Sequence, residues 1–310
     1  MKLTQAKHTE VHRVCLYGPP KGGKTELAGR LAEHYNVLWF DLENGHNTLF
    51  KLPTEWQERI ELVHIPDSKE FPIAVETMLK VVSGKKVKIC EDHGKVSCPL
   101  CITKPQTEVE LNSLDGSWVV VIDSGTQFTA SAIAHITKGQ PDTYKMDFDD
   151  WGNLKVLCEK LGSQMQVAPY NLVFITHEEE VELEDKTKKI VPVLGSSKSS
   201  RNTAKYFDHV VYCGVRNKKH IVGSSTTYSM GMMTGSRNDI ALEAGTAERP
   251  SLLDIFTRYR NGSFVSGNTV PLTVTPNVAS EGVAIHKAPP QGTNAAANLA
   301  ALKSKMTGGK

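Results

Sequence analysis

The chain lacks any apolar run that approaches the roughly 20 residues needed to cross a membrane. Residues 1–13 also lack the apolar segment of a secretory signal peptide. We therefore expect no membrane association and a cytoplasmic location. The net charge is only +2, so the overall charge indicates no particular partner, and any surface for nucleic acid has to be local.

Cysteine is scarce, with 6 in 310 residues. Cys15 and Cys158 lie in apolar patterns and are predicted to be buried thiols in a reducing compartment. Three of the others fall close together, in the pattern C-x-x-H-x-x-x-x-C-P-L-C at residues 90–101. Such knuckles supply the four ligands of a closed, structural Zn²⁺ site, although another group could replace the histidine. The predicted zinc ligands are Cys90, His93, Cys98 and Cys101.

The most specific motif is G-P-P-K-G-G-K-T at residues 18–25, which follows an apolar strand pattern and precedes a helical one. Glycines let such a loop wrap around an anion, and its amides point at a phosphate chain. Lys24 can reach the β- and γ-phosphate oxygens, and the hydroxyl of Thr25 can ligate Mg²⁺. The motif therefore predicts a site for ATP with Mg²⁺. The predicted nucleotide-binding residues are Gly18, Pro19, Pro20, Lys21, Gly22, Gly23, Lys24, Thr25 and Glu26.

Apolar strand patterns alternate with helical patterns up to residue 176, which predicts an α/β fold with a mostly parallel central sheet. The predicted strands are residues 11–17, 37–41, 118–123 and 171–176, and the predicted helices are 23–35, 72–82, 128–138 and 153–167. After residue 176 the pattern changes to a charged hairpin (178–193), two antiparallel strands (210–215 and 220–233) and a helix (251–260). We expect a core at 1–260, a zinc-binding insertion at 85–105 and a flexible tail at 261–310, where residues 295–306 could form a short helix.

Acidic residues close two of the predicted strands, where ligands bind in sheets of this kind. Asp123 is expected to accept hydrogen bonds from Mg²⁺-bound waters beside Thr25, and Ser124 could contact the same waters. Asp41 and Glu43 lie on the same side of their strand, and either could deprotonate the water that attacks the γ-phosphate. We favour Glu43 because it lies one step beyond the apolar run.

The segments 18–25, 40–43, 121–124 and 174–177 together resemble the cores of RecA-like ATPases. The resemblance covers about residues 11–260 and is strongest to compact, single-domain phage recombination ATPases of the RecA/RadA lineage. It implies that Glu43 is the catalytic base. It also implies that His177 is the γ-phosphate switch, at a position where RecA usually has glutamine. The predicted catalytic residues are Lys24, Glu43, Asp123 and His177.

The same resemblance implies an ATP-hydrolysing protein of DNA recombination or single-strand annealing, in the host cytoplasm if it is encoded by a phage. Single-stranded DNA is the expected partner, with a single-strand-binding protein and further copies of the chain as additional candidates. In RecA-like proteins the loops after the switch strand touch DNA. The basic residues there are Lys186, Lys188, Lys189, Lys198, Arg201 and Lys205, followed by the aromatic residues Tyr206 and Phe207. Such residues suit phosphate contact and base stacking.

Other interpretations of the sequence stay open. A second basic group flanks the zinc motif at Lys85, Lys86, Lys88 and Lys95. Arg237, Arg201 or neither could act as an arginine finger. The same core would serve an ATPase for helicase loading or DNA packaging, or a nucleotide-regulated zinc adaptor without turnover. A small-molecule kinase would need a lid with several arginines, and no such run follows the fourth strand.

Overall fold

The computed structural model describes residues 11–183, 186–216, 219–223, 231–236 and 251–257. Its strands, in chain order, are β1 (Arg13–Gly18), β2 (Asn36–Asp41), β3 (Ile60–His64), β4 (Val87–Cys90), β5 (Gln106–Val109), β6 (Trp118–Asp123), β7 (Asn171–Glu182), β8 (Lys188–Pro192), β9 (His209–Arg216), β10 (Lys219–Gly223) and β11 (Gly235–Ser236). Its α-helices are α1 (Lys24–Gly29), α2 (Thr54–Gln57), α3 (Ala74–Val81), α4 (Gly125–Ile136), α5 (Phe148–Gln166), α6 (Ser197–Ser200) and α7 (Leu253–Thr257).

The central sheet has the order β10-β9-β1-β7-β6-β2-β3, and the six strands from β9 to β3 are parallel. Antiparallel strands extend it: β10 and β11 pair with β9, and β8 pairs with the far half of β7. The predicted fold class, an α/β P-loop fold with a mostly parallel sheet and antiparallel C-terminal strands, is confirmed. No helix within the described residues is long and apolar enough to span a membrane.

Both faces of the sheet are buried, which explains why the strands are apolar throughout rather than alternating. On β1, Cys15 and Tyr17 face the core beneath α3, α4 and α5, whereas Val14 and Leu16 face the core on the α1 side. Cys15 is fully buried and Cys158 nearly so, as predicted. The parallel register aligns the carboxyl ends of the strands, so that Gly18 pairs with residue 177 of β7 and Asp41 with residue 123 of β6.

Several predicted elements have different bounds in the structure. β3 has no counterpart among the predicted strands, because this sheet-edge strand is only partly buried and lacks a continuous apolar run. The helix predicted at 23–35 is α1 followed by a 3₁₀ turn, Arg30–Glu33. α5 starts five residues before the predicted residue 153, because Asp147 and Asp150 form a capping box that begins the helix there.

The strand predicted at 210–215 is β9, which is antiparallel to β10 but also parallel to β1. The predicted hairpin at 178–193 is present as β7 and β8. The predicted tail at 261–310 and the arginine-finger candidate Arg237 lie outside the described residues.

Candidate nucleotide and metal sites

The segment between β1 and α1 forms the predicted phosphate-binding loop, and its surroundings require two of its glycines. A Cβ atom on Gly18 would lie 1.9 Å from the carbonyl oxygen of Cys213. Gly23 has a φ of +91°, and a Cβ atom there would lie 3.0 Å from the ring of His220. Both neighbours also hold the carbonyl of Gly22: the Cys213 thiol donates to it at 3.1 Å, and Nδ1 of His220 lies 3.0 Å away. Residues of β9 and β10 therefore pack against the phosphate-binding loop and fix the carbonyl of Gly22.

The sequence gives no local signal for this support, because Cys213 and His220 are far from the loop in the chain. Of the other predicted loop residues, Pro20 and Lys21 are exposed. Glu26 lies in the first turn of α1, where Arg30 donates to its carboxylate at 2.6 Å. The side chain of Glu26 is therefore engaged along the helix rather than with the phosphate loop.

Lys24 is only 6% exposed and its amine is directed into the loop. Nζ donates to the carbonyls of Gly18 at 2.9 Å and Pro19 at 2.8 Å. Burial lowers the pKa of Lys24, and the negative charges of Asp123 and Glu43 oppose this shift. The amine is thus positioned where a phosphate chain would exchange these carbonyl contacts for stronger charge-assisted ones.

Thr25 and Asp123 meet as predicted, since the threonine hydroxyl donates to Oδ2 of Asp123 at 3.0 Å. Asp123 is almost fully buried, and this burial raises its pKa to about 7, with further contributions from the negative charges of Glu43 and Asp41. Such a group of oxygen donors and negative charges suits a hard divalent cation. The residues therefore fit Mg²⁺, which would help to neutralise the bound phosphates.

The structure distinguishes the two carboxylates that the sequence could not separate. Asp41 is fully buried, and its Oδ1 accepts hydrogen bonds from the backbone N–H groups of Glu43 at 3.2 Å and Gly45 at 2.9 Å. Its Oδ2 is hydrogen-bonded to His46. Glu43 is only half-buried, and its carboxylate accepts from the hydroxyl of Ser124. Asp41 therefore shapes the loop, whereas the carboxylate of Glu43 is nearer to solvent.

His177 lies beside Gly18 in the register of β7 and β1 and is half-buried. Burial and the positive charge of Lys24 lower its pKa, and the charge of Glu43 opposes this. The imidazole is therefore mainly neutral at pH 7. Its backbone N–H donates to the hydroxyl of Thr126 at 2.9 Å, a contact that sequence reasoning did not anticipate.

The four predicted zinc ligands converge. One coordinating atom of each lies within 4.8 Å of those of the others, and Nδ1 of His93 lies 3.1 Å from Sγ of Cys101 and 3.7 Å from Sγ of Cys98. Zn–S bonds of about 2.3 Å in a tetrahedron place ligand atoms roughly 3.5–3.8 Å apart. The cluster is therefore compatible with a zinc knuckle. The four converging residues are Cys90, His93, Cys98 and Cys101.

The knuckle is attached to the core rather than projecting from it. β4 and β5 form a separate antiparallel pair around it. A Cβ atom on Gly94 would lie 2.7 Å from Cα of Ile65, and the Gly94 carbonyl accepts from the hydroxyl of Thr77 on α3 at 2.8 Å. Ile89 and Val96 join the main core. Folding of the knuckle is thus linked to the α3 side of the sheet.

Several of the predicted basic residues near the knuckle and in the hairpin have partners within the chain. Lys86 pairs with Glu108 at 2.5 Å, and Lys188 pairs with Glu180 at 2.6 Å. Arg201 donates to the carbonyl of Glu182. These contacts reduce the number of cations available to an external phosphate.

The predicted stacking role of Tyr206 and Phe207 is wrong, because both rings are buried, with 6% and 3% exposure. A Cβ atom on Gly162 would lie 2.4 Å from the Tyr206 ring, so the helix α5 covers that side chain. Phe207 stacks on Phe174, with ring centroids 5.4 Å apart. Sequence reasoning could not separate a core aromatic from an exposed one in this segment.

Two other aromatic side chains are exposed, and they lie beside Lys198 and Lys205. Phe148 is 90% exposed and Trp151 is 45% exposed, both at the start of α5. They line a groove of about 350 Å³ that also includes Lys198 and Lys205. Lys155 and Glu159 complete its charged lining. We call this the α5–α6 groove.

The loop, the buried lysine, and the threonine and aspartate beside it define a P-loop nucleotide-binding protein. The family model described as AAA domain matches residues 10–240, so the chain belongs to this family, and the protein is an ATPase. A comparison with curated proteins finds no match.

Two solved structures are distantly similar. One is an ATPase from the type III secretion system of pathogenic bacteria, with 14% identity and a TM-score of 0.35; the match covers 65% of this chain and 50% of that one. This chain therefore matches about half the length of that protein. The other is a structure described as an ATPase domain, with 12% identity and a TM-score of 0.37, covering 76% of this chain and 80% of that one.

Replacing Lys24 with alanine removes the amine that is directed into the loop. We expect Lys24→Ala to abolish ATP hydrolysis and to weaken nucleotide binding at least about tenfold, because the cation that would neutralise the β- and γ-phosphates is removed. Phosphate release and binding of a fluorescent ATP analogue measure the two effects. Lys51→Ala, which removes an exposed lysine outside the loop, is the control. Near-normal turnover in Lys24→Ala would contradict the assignment of the loop.

Proposed function

We propose that this ATPase acts on single-stranded DNA in recombination or annealing, with Glu43 as its catalytic base and a structural zinc knuckle. The observation that carries the proposal is the α5–α6 groove. Single-stranded nucleic acid is bound by cations that follow the phosphates and by exposed aromatic rings on which bases stack. The groove combines both features within one surface.

The charge of the groove favours an anionic occupant. Its ionisable lining includes three lysines and one glutamate, and the glutamate, Glu159, lies 4.0 Å from Lys155. Lys198 and Lys205 are exposed, and no ion pair involving them is described. Of the six basic residues named after the switch strand, Lys198 and Lys205 line the groove and support the proposal better than Arg201, which donates to the carbonyl of Glu182.

The aromatic rings favour single strands over duplex DNA. Bases in a duplex are stacked on each other, and their faces are not available to a protein side chain. Phe148 at 90% exposure has no core role to explain its position, and Trp151 lies one helical turn away. The choice of DNA over RNA rests on the resemblance to RecA-like ATPases.

The two kinds of contact predict two different responses to mutation. Phe148→Ala together with Trp151→Ala should weaken single-strand binding by roughly 5- to 150-fold, the loss of about 1–3 kcal/mol of stacking, without changing the salt dependence. Lys155, Lys198 and Lys205 replaced by alanine should reduce the slope of log affinity against log salt, because fewer counterions are released. Fluorescence anisotropy with labelled single-stranded DNA, duplex DNA and RNA measures both.

Matched controls separate these effects from general loss of charge or apolar surface. Phe71→Ala removes an aromatic ring with 71% exposure elsewhere, and alanine at Lys51, Lys80 and Lys138 removes three exposed lysines outside the groove. The controls should bind like the parent protein. If both groove variants also bind like the parent, the groove is not the DNA site.

Glu43 is proposed as the base because its carboxylate is the more accessible of the two near the phosphate loop. The carboxylate can accept a proton from the attacking water while the hydroxyl of Ser124 orients the carboxylate. Asp41, by contrast, already accepts hydrogen bonds from two backbone N–H groups and from His46. Loss of that carboxylate would disturb the loop before it affected proton transfer.

Glu43→Gln should therefore keep ATP binding within about threefold and lower kcat by roughly 10²- to 10⁴-fold, since the amide keeps its position but cannot take the proton. Asp41→Asn should instead lower thermal stability, because an amide group cannot accept all of these hydrogen bonds. ATP binding, kcat and a thermal melt are measured for both variants. If Asp41→Asn instead lowers kcat with ATP binding retained, and Glu43→Gln does not, Asp41 is the base.

The zinc proposal rests on the convergence of three thiols and one imidazole without a disulfide among the described residues. A bound Zn²⁺ would supply the positive charge that lets these thiols ionise together. We expect about one zinc per chain by elemental analysis of protein purified without chelator. Cys98→Ser or Cys101→Ser should lose it and unfold the knuckle locally, whereas Cys158→Ser should keep it. Metal-free parent protein would contradict this.

A further inference from the structure

Three ligand-type side chains meet where β2 and β3 end, outside the phosphate loop and the knuckle. Asp41 and His64 are register partners on these strands, and His46 lies in the 3₁₀ segment Gly45–Lys51. One coordinating atom from each lies within 4.8 Å of the others. The two imidazole rings meet edge to face, with centroids 5.7 Å apart.

Hydrogen bonds account for this cluster only in part. Oδ2 of Asp41 is bonded to Nδ1 of His46, and Nδ1 of His64 lies 3.7 Å from the same oxygen, which is beyond hydrogen-bond distance. That nitrogen is buried and has no hydrogen-bond partner among the residues the structure describes. A buried polar atom without a partner calls for an explanation. A cation held by Oδ2 and both nitrogens would satisfy all three atoms.

We propose that Asp41, His46 and His64 bind a first-row transition-metal dication such as Zn²⁺ or Fe²⁺. Imidazole nitrogens favour these ions over Mg²⁺, so this site differs in chemistry from the nucleotide Mg²⁺ site beside Thr25. It also differs from the knuckle, because it contains no thiol. Three protein ligands leave at least one coordination position open.

The position of the site links it to ATP hydrolysis. Asp41 also accepts from the backbone N–H groups of Glu43 and Gly45, and His46 follows directly. An ion bound by Asp41, His46 and His64 would therefore link residues 41–46, the segment that contains Glu43, to strand β3. Occupancy is expected to change kcat while leaving ATP affinity unchanged. This regulatory consequence rests on the proposed role of Glu43, whereas metal binding itself does not.

Cobalt titration of the full chain, without nucleotide or DNA, tests the site. With zinc retained in the knuckle, one Co²⁺ should bind with weak visible absorption and no sulfur-to-cobalt charge-transfer band. His46→Asn and His64→Asn should each weaken this binding at least about tenfold, since even loss of a residue that only supports a ligand commonly costs 10- to 100-fold. His34→Asn and Thr25→Ala should leave it unchanged.

A rescue variant separates ligation from a packing role. His64→Cys keeps a metal ligand and should bind Co²⁺ with a new charge-transfer band, even if His64→Asn proves unstable in a thermal melt. The proposal is overturned if Co²⁺ binds only with the knuckle's thiolate band, or if the parent and both asparagine variants give the same titration. Failure of Glu43→Gln to affect turnover would remove the regulatory link alone.

Discussion

The burial of opposite charges at one end of a parallel sheet is the constraint on which this structure depends. Lys24, Asp41 and Asp123 are all at least nine-tenths buried, and Glu43 lies beside them. Unit charges about 4 Å apart interact by roughly 4 kcal/mol at an effective dielectric constant near 20. Burial, together with repulsion from the neighbouring acids, therefore raises the pKa of Asp123 to about 7. The negative charges of the three acids are best balanced when a divalent cation binds beside the amine of Lys24.

The surrounding structure keeps these groups in place before any ligand arrives. Carbonyls of the loop hold the Lys24 amine, Thr25 holds Asp123, and backbone N–H groups hold Asp41. Because each group has a partner already, binding exchanges contacts rather than creating order in a loose loop. Such preorganisation is what electrostatic catalysis requires.

Sequence reasoning predicted the parts of this site that are encoded locally. The phosphate loop, the apolar strands and the convergence of the three knuckle cysteines with His93 each follow from residues within a short segment, since loop geometry and a compact cluster need fixed spacing. The buried state of Tyr206 and Phe207 did not follow, because it depends on contacts with α5 for Tyr206 and with Phe174 of β7 for Phe207. The support of the loop by Cys213 and the cluster at His64 also arise only when distant strands pair.

The middle of β7 connects the nucleotide site to the α5–α6 groove through a short series of contacts. The hydroxyl of Thr176 donates to the carbonyl of Val193 at 2.7 Å, and the N–H of Val193 donates to the carbonyl of His177 at 3.0 Å. The next residue, Leu194, lines the groove. If His177 has the predicted role of γ-phosphate switch, only Val193 separates it from the groove residue Leu194 along these contacts.

Contiguity of this kind supports coupling only where the connecting element has two arrangements that both sites can bias. The hairpin of β7 and β8 is held at residues 176, 177 and 193, and a second time at Ile190, whose carbonyl accepts from the hydroxyl of Tyr17 and whose backbone pairs with residues 231 and 233. A second arrangement of the hairpin would therefore have to break one of these two sets of contacts. For the predicted switch role, a neutral imidazole at His177 could gain a hydrogen bond to the γ-phosphate without a change in its charge. Movement of the hairpin would then shift Leu194 and Ser196 against Phe148 and Trp151, which line the same groove.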